Sequence, residues 1–367
     1  MKPNLNIPGL AAAALVLCGC ATVLDEDGAL AVIPYTIESN GRIVVDVLVN
    51  GEGPFQFALD TGASISVIHD RLRDRLALQT IPEQTVIVYG AVTSGRFPLL
   101  KVDQIQIGRE NWATPRFVSM PGETAASKPM DGILGLDFLS QYAVGFSVRD
   151  RAVRLYAPEA LNERNYFGWA HVPLDREPVG AGSAALYLFD IEIRGVEIPA
   201  IFDLGASMNM VNWSAARSIG LRPSELIGDS AFSGAIDSVE DVGNFIAEKV
   251  TTNRITWKDE LFGVASLPVF ETMLKGDRPC AVLGVGLFNQ RDFIIDFARS
   301  RVLVKVGMDE VDIFNEGNET PVSGIASGSG SLARVPEQHD AEPDREYAKN
   351  DCAGRELDDA VGYCRPG

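Results

Sequence analysis

Cysteine, histidine and long apolar runs are scarce in this sequence, and each scarcity excludes something. Of 367 residues, five are Cys and three are His. The histidines, His69, His171 and His339, lie far apart, and no Cys-x-x-Cys or His-Glu-x-x-His occurs. No metal-ligand set is therefore visible, and no cofactor is expected. No apolar run reaches the roughly 18 residues that a conventional membrane-spanning helix needs. Basic residues are few as well: 32 Lys+Arg against 50 Asp+Glu leave a net charge of −18. Such a balance repels nucleic acid. Apolar residues are not lacking. At 46% hydrophobic and 22% charged the chain can bury real cores, which rules out wholesale disorder, and its length predicts two domains with some sequence to spare.

Both ends read as lying outside the fold. Residues 1–19 carry one positive charge, Lys2, then an apolar stretch that ends in Leu17-Cys18-Gly19-Cys20. The stretch is too short to span a membrane but suits a signal peptide. Leu-x-Gly-Cys resembles a bacterial lipobox, which implies a lipid on Cys20 and a periplasm-facing chain anchored in the cell envelope. Ala21 after that Cys points to the outer rather than the inner membrane. Ordinary secretion without a lipid is the alternative. Residues 20–29 then read as a short linker. Residues 308–367 are acidic, contain the Gly/Ser run Ser323–Ser331 and show almost no apolar periodicity, so a flexible tail is expected. Within it, Cys352 and Cys364 either close a small disulfide loop or stay as free thiols. Cys280 is left as a small buried apolar residue.

The middle of the chain repeats itself. Ile43–Asn50 alternates apolar residues, turns at Gly51, and leads into Phe55-Gln56-Phe57-Ala58-Leu59-Asp60-Thr61-Gly62-Ala63-Ser64. Leu186–Arg194 does the same, turns at Gly195, and leads into Ile198-Pro199-Ala200-Ile201-Phe202-Asp203-Leu204-Gly205-Ala206-Ser207. Three further landmarks recur at nearly the same offset: Gly90-Ala91 with Gly234-Ala235, Ile133-Leu134-Gly135 with Val282-Leu283-Gly284, and Arg149-Asp150-Arg151 with Arg299-Ser300-Arg301. A repeat this long describes duplicated lobes, at 30–160 and 161–307, rather than solenoid units. The pattern predicts an all-β architecture with short helices and two lobes related by a pseudo-two-fold axis.

The chemistry sits in the repeated turn. An Asp at the end of an apolar strand, followed two residues later by Gly, puts a carboxylate on a tight loop that another backbone can approach closely. If the two loops meet about the axis, Asp60 and Asp203 come together. Two adjacent carboxylates do not both ionise readily, so they share a proton and can act as base and acid on a water between them.

At these residues the chain resembles the aspartic protease superfamily. Asp60-Thr61-Gly62-Ala63-Ser64 with Gly132-Ile133-Leu134-Gly135, and Asp203-Leu204-Gly205-Ala206-Ser207 with Val282-Leu283-Gly284, look like the active-site loop and the hydrophobic-hydrophobic-Gly element of each lobe. Ala63 and Ala206 resemble the retropepsin-type loop, since pepsin-type enzymes carry Ser or Thr there. The resemblance, over residues 30–307, is to bacterial retropepsin-like proteases fused in tandem. It implies an endopeptidase acting on peptides or proteins, monomeric because one chain supplies both halves. It also implies a substrate-covering hairpin at Val88–Gly95, with Tyr89 and Gly90 as substrate contacts. Phe232–Ile236, its counterpart, reads equally as an ordinary hairpin.

One residue departs from the family. Thr or Ser normally follows each Asp, and their hydroxyls brace the loops against each other; Leu204 cannot. Half of that brace is expected to be missing, which makes a non-catalytic, peptide-binding envelope lipoprotein the alternative to an active protease. Without hydroxyls at Ala63 and Ala206 the dyad should titrate higher than in a pepsin-type site, giving a mildly acidic to near-neutral optimum. The chain between Cys20 and the first strand is too short for a pepsin-like basic prosegment. A serine hydrolase is disfavoured by the lack of Gly-x-Ser-x-Gly, and a dinucleotide enzyme by Gly284-Val285-Gly286, which lacks the third Gly.

Overall fold

Alternation of apolar and polar residues sets the strands. In Ala31–Ile37 the side chains of Ala31, Ile33 and Tyr35 are buried while Val32 and Pro34 face outwards. A computed structural model describes residues 28–306, except 90–93, 123–129, 180–184, 234–237, 268, 271–277 and 289, and also 357–358 and 363–364. The fold is all-β, with few and short helices.

The same succession of elements occurs twice. A hairpin of Ile43–Val49 and Glu52–Leu59 matches one of Ala185–Ile193 and Val196–Phe202. Both turn through two residues of left-handed φ, Asn50-Gly51 and Arg194-Gly195, the geometry that suits the right-handed twist of strands in a tight hairpin. The second strand of each hairpin is then joined in parallel by a later three-residue strand, Gly132–Leu134 in one case and Ala281–Leu283 in the other. A six-residue helix follows each loop, Asp70–Arg75 and Trp213–Ser218.

The strands that lead into the two loops stop at Leu59 and Phe202, so each Asp stands at a strand's end. The cause is local. The Asp60 N–H still donates to the Leu134 carbonyl and that of Asp203 to Leu283, both at 3.0 Å, but the next N–H groups turn back to the Asp side chains. The strand therefore ends at the residue that carries the carboxylate.

The two halves are joined by backbone. Ala143–Ser147 pairs antiparallel with Phe293–Asp296, in the register Ala143 to Asp296 and Phe146 to Phe293. On one flank lie Ala152–Tyr156 and Ala31–Ile37, and on the other Arg301–Val304 and Ala170–Pro173. The repeated Arg149-Asp150-Arg151 and Arg299-Ser300-Arg301 fall at the hairpin turns of this central sheet. Phe146 and Phe293 stack with ring centroids 4.5 Å apart, inside a hydrophobic cluster that draws on both halves. Asp296, fully buried, accepts from Arg299 and Arg301 at 3.1 Å. In the tail, Leu357–Asp358 pairs with Tyr363–Cys364. Among the described residues no helix is long and apolar enough to cross a membrane.

Candidate active site

Each Asp is placed by a parallel strand and held by its own loop. The Asp60 Oδ1 accepts from the N–H groups of Gly62 at 2.7 Å and Ala63 at 3.0 Å. The Asp203 Oδ1 accepts from Gly205 at 2.8 Å and Ala206 at 3.1 Å. These bonds orient each carboxyl so that its other oxygen is left for a partner. The loops lean on the hydrophobic-hydrophobic-Gly elements in the same manner: the Leu136 N–H donates to the Ala63 carbonyl at 2.8 Å and Val285 to Ala206 at 3.1 Å. Gly135 and Gly284 are required there. A Cβ on either would lie 2.6 Å from the carbonyl oxygen of Ala63 or Ala206, closer than packing allows.

The loops meet. A Cβ on Gly62 would stand 2.5 Å from the Asp203 carboxyl carbon, and one on Gly205 would crowd Asp60 equally. Glycine at these two places is what lets each carboxyl come across to the other loop. Each carboxyl thus lies against the other loop, and both residues are only partly exposed.

Their surroundings separate the two acids. Burial pushes Asp203 well above the usual carboxylate range, and the neighbouring Asp60 charge pushes it further. Burial also raises Asp60, but the hydrogen bond from Asp203, the Gly62 and Ala63 N–H groups and the charge of Arg42 favour its ionised form. Both carboxyls are thus pushed above the usual range, and the two titrate as a pair.

Thr61 is the brace across the loops. Its hydroxyl donates to the Phe202 carbonyl at 2.7 Å and accepts from the Leu204 N–H at 3.0 Å, and the residue is fully buried. Leu204 cannot return these bonds from its side chain; it is fully buried in the hydrophobic core instead. The position that lacks a brace has become a packing position. Ser64 is partly buried, whereas Ser207 is exposed.

Tyr89 ends the strand Thr80–Tyr89, which pairs antiparallel with Ser94–Lys101 and bears Tyr89 opposite Ser94. It is 42% exposed and lines a cavity of about 930 Å³ that begins at Ser64 and Ile65. The strands that flank the expected hairpin tip are paired, but residues 90–93, Gly90 among them, lie outside the described residues, as do Cys20 and Cys352; nothing is described of the Cys364 side chain. Asp229–Ser233 and Ser238–Thr252 form a hairpin in the second half, again with its tip at 234–237 outside the described residues.

Three contributors escaped the sequence reading. Arg42 Nε donates to the Gly205 carbonyl at 2.9 Å, tying the first half to the second loop. Ser66 and Asn209 are buried and equivalent: the Ser66 hydroxyl accepts the Gly135 N–H and the Asn209 side-chain oxygen accepts the Gly284 N–H, each at 3.0 Å. Ser66 and Asn209 differ by the same 143 positions as the two aspartates, a signal obscured by the change of residue type.

Residues 45–141 match the family described as gag-polyprotein putative aspartyl protease. The matched segment includes the Asp60 loop, Tyr89 and Gly135 and ends before Asp203. This segment of the chain is aspartyl-protease-like. No match is found among curated proteins.

Proposed function

We propose that the chain is a single-chain aspartic endopeptidase in which residues 30–160 and 161–307 are two lobes, each giving one carboxylate to a shared site. The observation that carries this reading is that two like-built loops meet with Gly62 set against the Asp203 carboxyl and Gly205 against the Asp60 carboxyl. One proton on two buried carboxyls is the state that peptide hydrolysis without a covalent intermediate requires.

In this mechanism Asp60 is the base and Asp203 the acid. Asp60 takes a proton from a water as its oxygen attacks the scissile carbonyl carbon, and Asp203 gives its proton to the carbonyl oxygen. A tetrahedral diol results. As the C–N bond breaks, Asp60 returns its proton to the leaving nitrogen and Asp203 recovers one from the diol, which restores the starting state. The aspartyl-protease likeness of residues 45–141 supports the reaction class.

The test is direct. Asp60→Asn and Asp203→Asn should each abolish cleavage of a denatured protein mixture while circular dichroism shows the fold retained. Cleavage that persists in both would refute the dyad, and a wild type that binds peptides without cutting them would establish the non-catalytic alternative. We also propose a periplasm-facing envelope lipoprotein, more plausibly in the outer membrane, supported by Leu17-Cys18-Gly19-Cys20. Cys20→Ser should then move the protein from the membrane fraction to the soluble one; unchanged partitioning would overturn the anchor.

A further inference from the structure

The cavity beside the dyad is basic, although the chain as a whole carries a net charge of −18. It starts at Ser64 and Ile65, just past Asp60, and runs beneath Tyr89. Three arginines line it: Arg96 on the hairpin strand, Arg116 on the neighbouring strand Arg116–Met120, and Arg176 from the second half of the chain. Asp137 is the carboxylate among the lining residues, and it is already engaged. Its Oδ1 accepts from the Ser66 hydroxyl at 2.6 Å and the Phe138 N–H at 3.0 Å, and its Oδ2 accepts from the Ser66 N–H at 3.0 Å. Asp137 serves to hold the loop that follows Asp60, not to neutralise the arginines.

Arg96 and Arg116 keep donors for a ligand. Arg96 donates to the neutral hydroxyl of Thr85 at 3.1 Å, and among the described residues no carboxylate is bonded to it. Opposite Arg116 across the strand pair stands Lys101, another cation. A guanidinium presents a fork of N–H groups matched to a carboxylate, and side chains from separate elements can meet an anion from several sides. At about 930 Å³ the cavity has room for more than one residue of a peptide.

We propose that this cavity is a specificity subsite for acidic side chains, so that the enzyme cuts peptides carrying Asp or Glu within a few residues of the scissile bond. The inference rests on the endopeptidase reading for the cutting, but not for the binding. Arg96 and Arg116 are its specificity-determining residues, with Arg176 closing the site from the opposite half. Beyond about one Debye length the acidic body is screened, so the local arginines govern the cavity.

The experiment uses three peptides that are identical except for Glu, Gln or Lys at one position near the cleavage site, that position being scanned along the peptide. Wild type should cut the best Glu peptide about tenfold faster in kcat/KM than its Gln partner, and slowest with Lys. Arg116→Gln and Arg96→Gln should each reduce that preference several-fold, cleavage of the Glu peptide falling more than cleavage of the Gln peptide. In parallel, Asp60→Asn protein is titrated with the same peptides, fluorescently labelled, by anisotropy. Tighter binding of the Glu peptide there, with no cleavage by wild type, would uphold the subsite and sink the endopeptidase reading. Cleavage by wild type with no preference among Glu, Gln and Lys would overturn the subsite alone.

Discussion

Thr61→Val isolates the one-sided brace. Valine has nearly the shape of threonine, so the substitution removes the hydroxyl without opening a cavity. Two buried groups lose their partner at once: the Phe202 carbonyl, bonded at 2.7 Å, and the Leu204 N–H, bonded at 3.0 Å. Each unsatisfied buried group costs about 1–3 kcal/mol, so the pair should cost roughly 2–6 kcal/mol. Nothing at Leu204 can substitute, since its side chain offers no donor or acceptor and is fully buried in the core. For a domain of this size that loss lowers the melting temperature by on the order of 10 °C. The two loops would also lose their fixed spacing. A displacement of about 1 Å at reacting groups can cost on the order of a hundredfold in rate, so kcat should fall while KM holds. Thermal unfolding by calorimetry and steady-state kinetics on a cleaved peptide measure the two effects. Thr61→Ser, which keeps the hydroxyl, should restore most of both. If Thr61→Val melts within a degree of wild type and retains its kcat, the brace has no such role.

Two more predictions concern the same site, and a third concerns the buried Cys280. Both carboxyls of the dyad are raised, so between the ordinary carboxylate pKa and the raised one the folded chain binds more protons than the unfolded chain. The pair's contribution to stability is then fully present below the ordinary value and is lost as pH rises through the folded one. Asp203→Asn should consequently raise the melting temperature at neutral pH while it abolishes activity; an unchanged or lower value would count against this coupling. Arg42→Gln removes both the bond to the Gly205 carbonyl and the charge that favours ionised Asp60. The acid limb of the kcat/KM profile should move to higher pH, and a limb that stays put would show Arg42 to be only structural. Cys280 is fully buried, and burial pushes its thiol up to about 12. It should resist alkylation by iodoacetamide in the folded protein and react only on unfolding, as followed by mass spectrometry.

Much of the site was legible because it is written twice. The shared spacing of Asp60 and Asp203, and of Gly135 and Gly284, predicts both loops and the elements they lean on, and the structure packs them alike. The strand ends at Leu59 and Phe202 were legible as well, but the capture of N–H groups by the Asp60 and Asp203 carboxyls that fixes them was not. Arg42 and the three cavity arginines could not be read, because what gives each its meaning is a partner more than a hundred residues away or on another element. Leu204 was read correctly as unable to brace, but its compensation is packing, which a single position in a sequence does not reveal. Ser66 and Asn209 do the same task with different side chains, so a search for identical letters passes over them.

The central sheet sets a timetable. Phe293–Asp296 is nearly the last ordered stretch of the body, yet it pairs with Ala143–Ser147, near the midpoint of that body. A ribosome therefore finishes the Asp60 loop long before the strand that joins the halves has emerged, and pairings between such distant residues form slowly. Until then Ala143–Ser147 presents a bare edge, the kind of surface that recruits other strands. Aggregation of nascent chains should peak for products stalled between residues 203 and 293 and subside once the chain passes Val304. On the endopeptidase reading, proteolytic competence would begin at the same moment, because the second carboxylate belongs to the half that is made last.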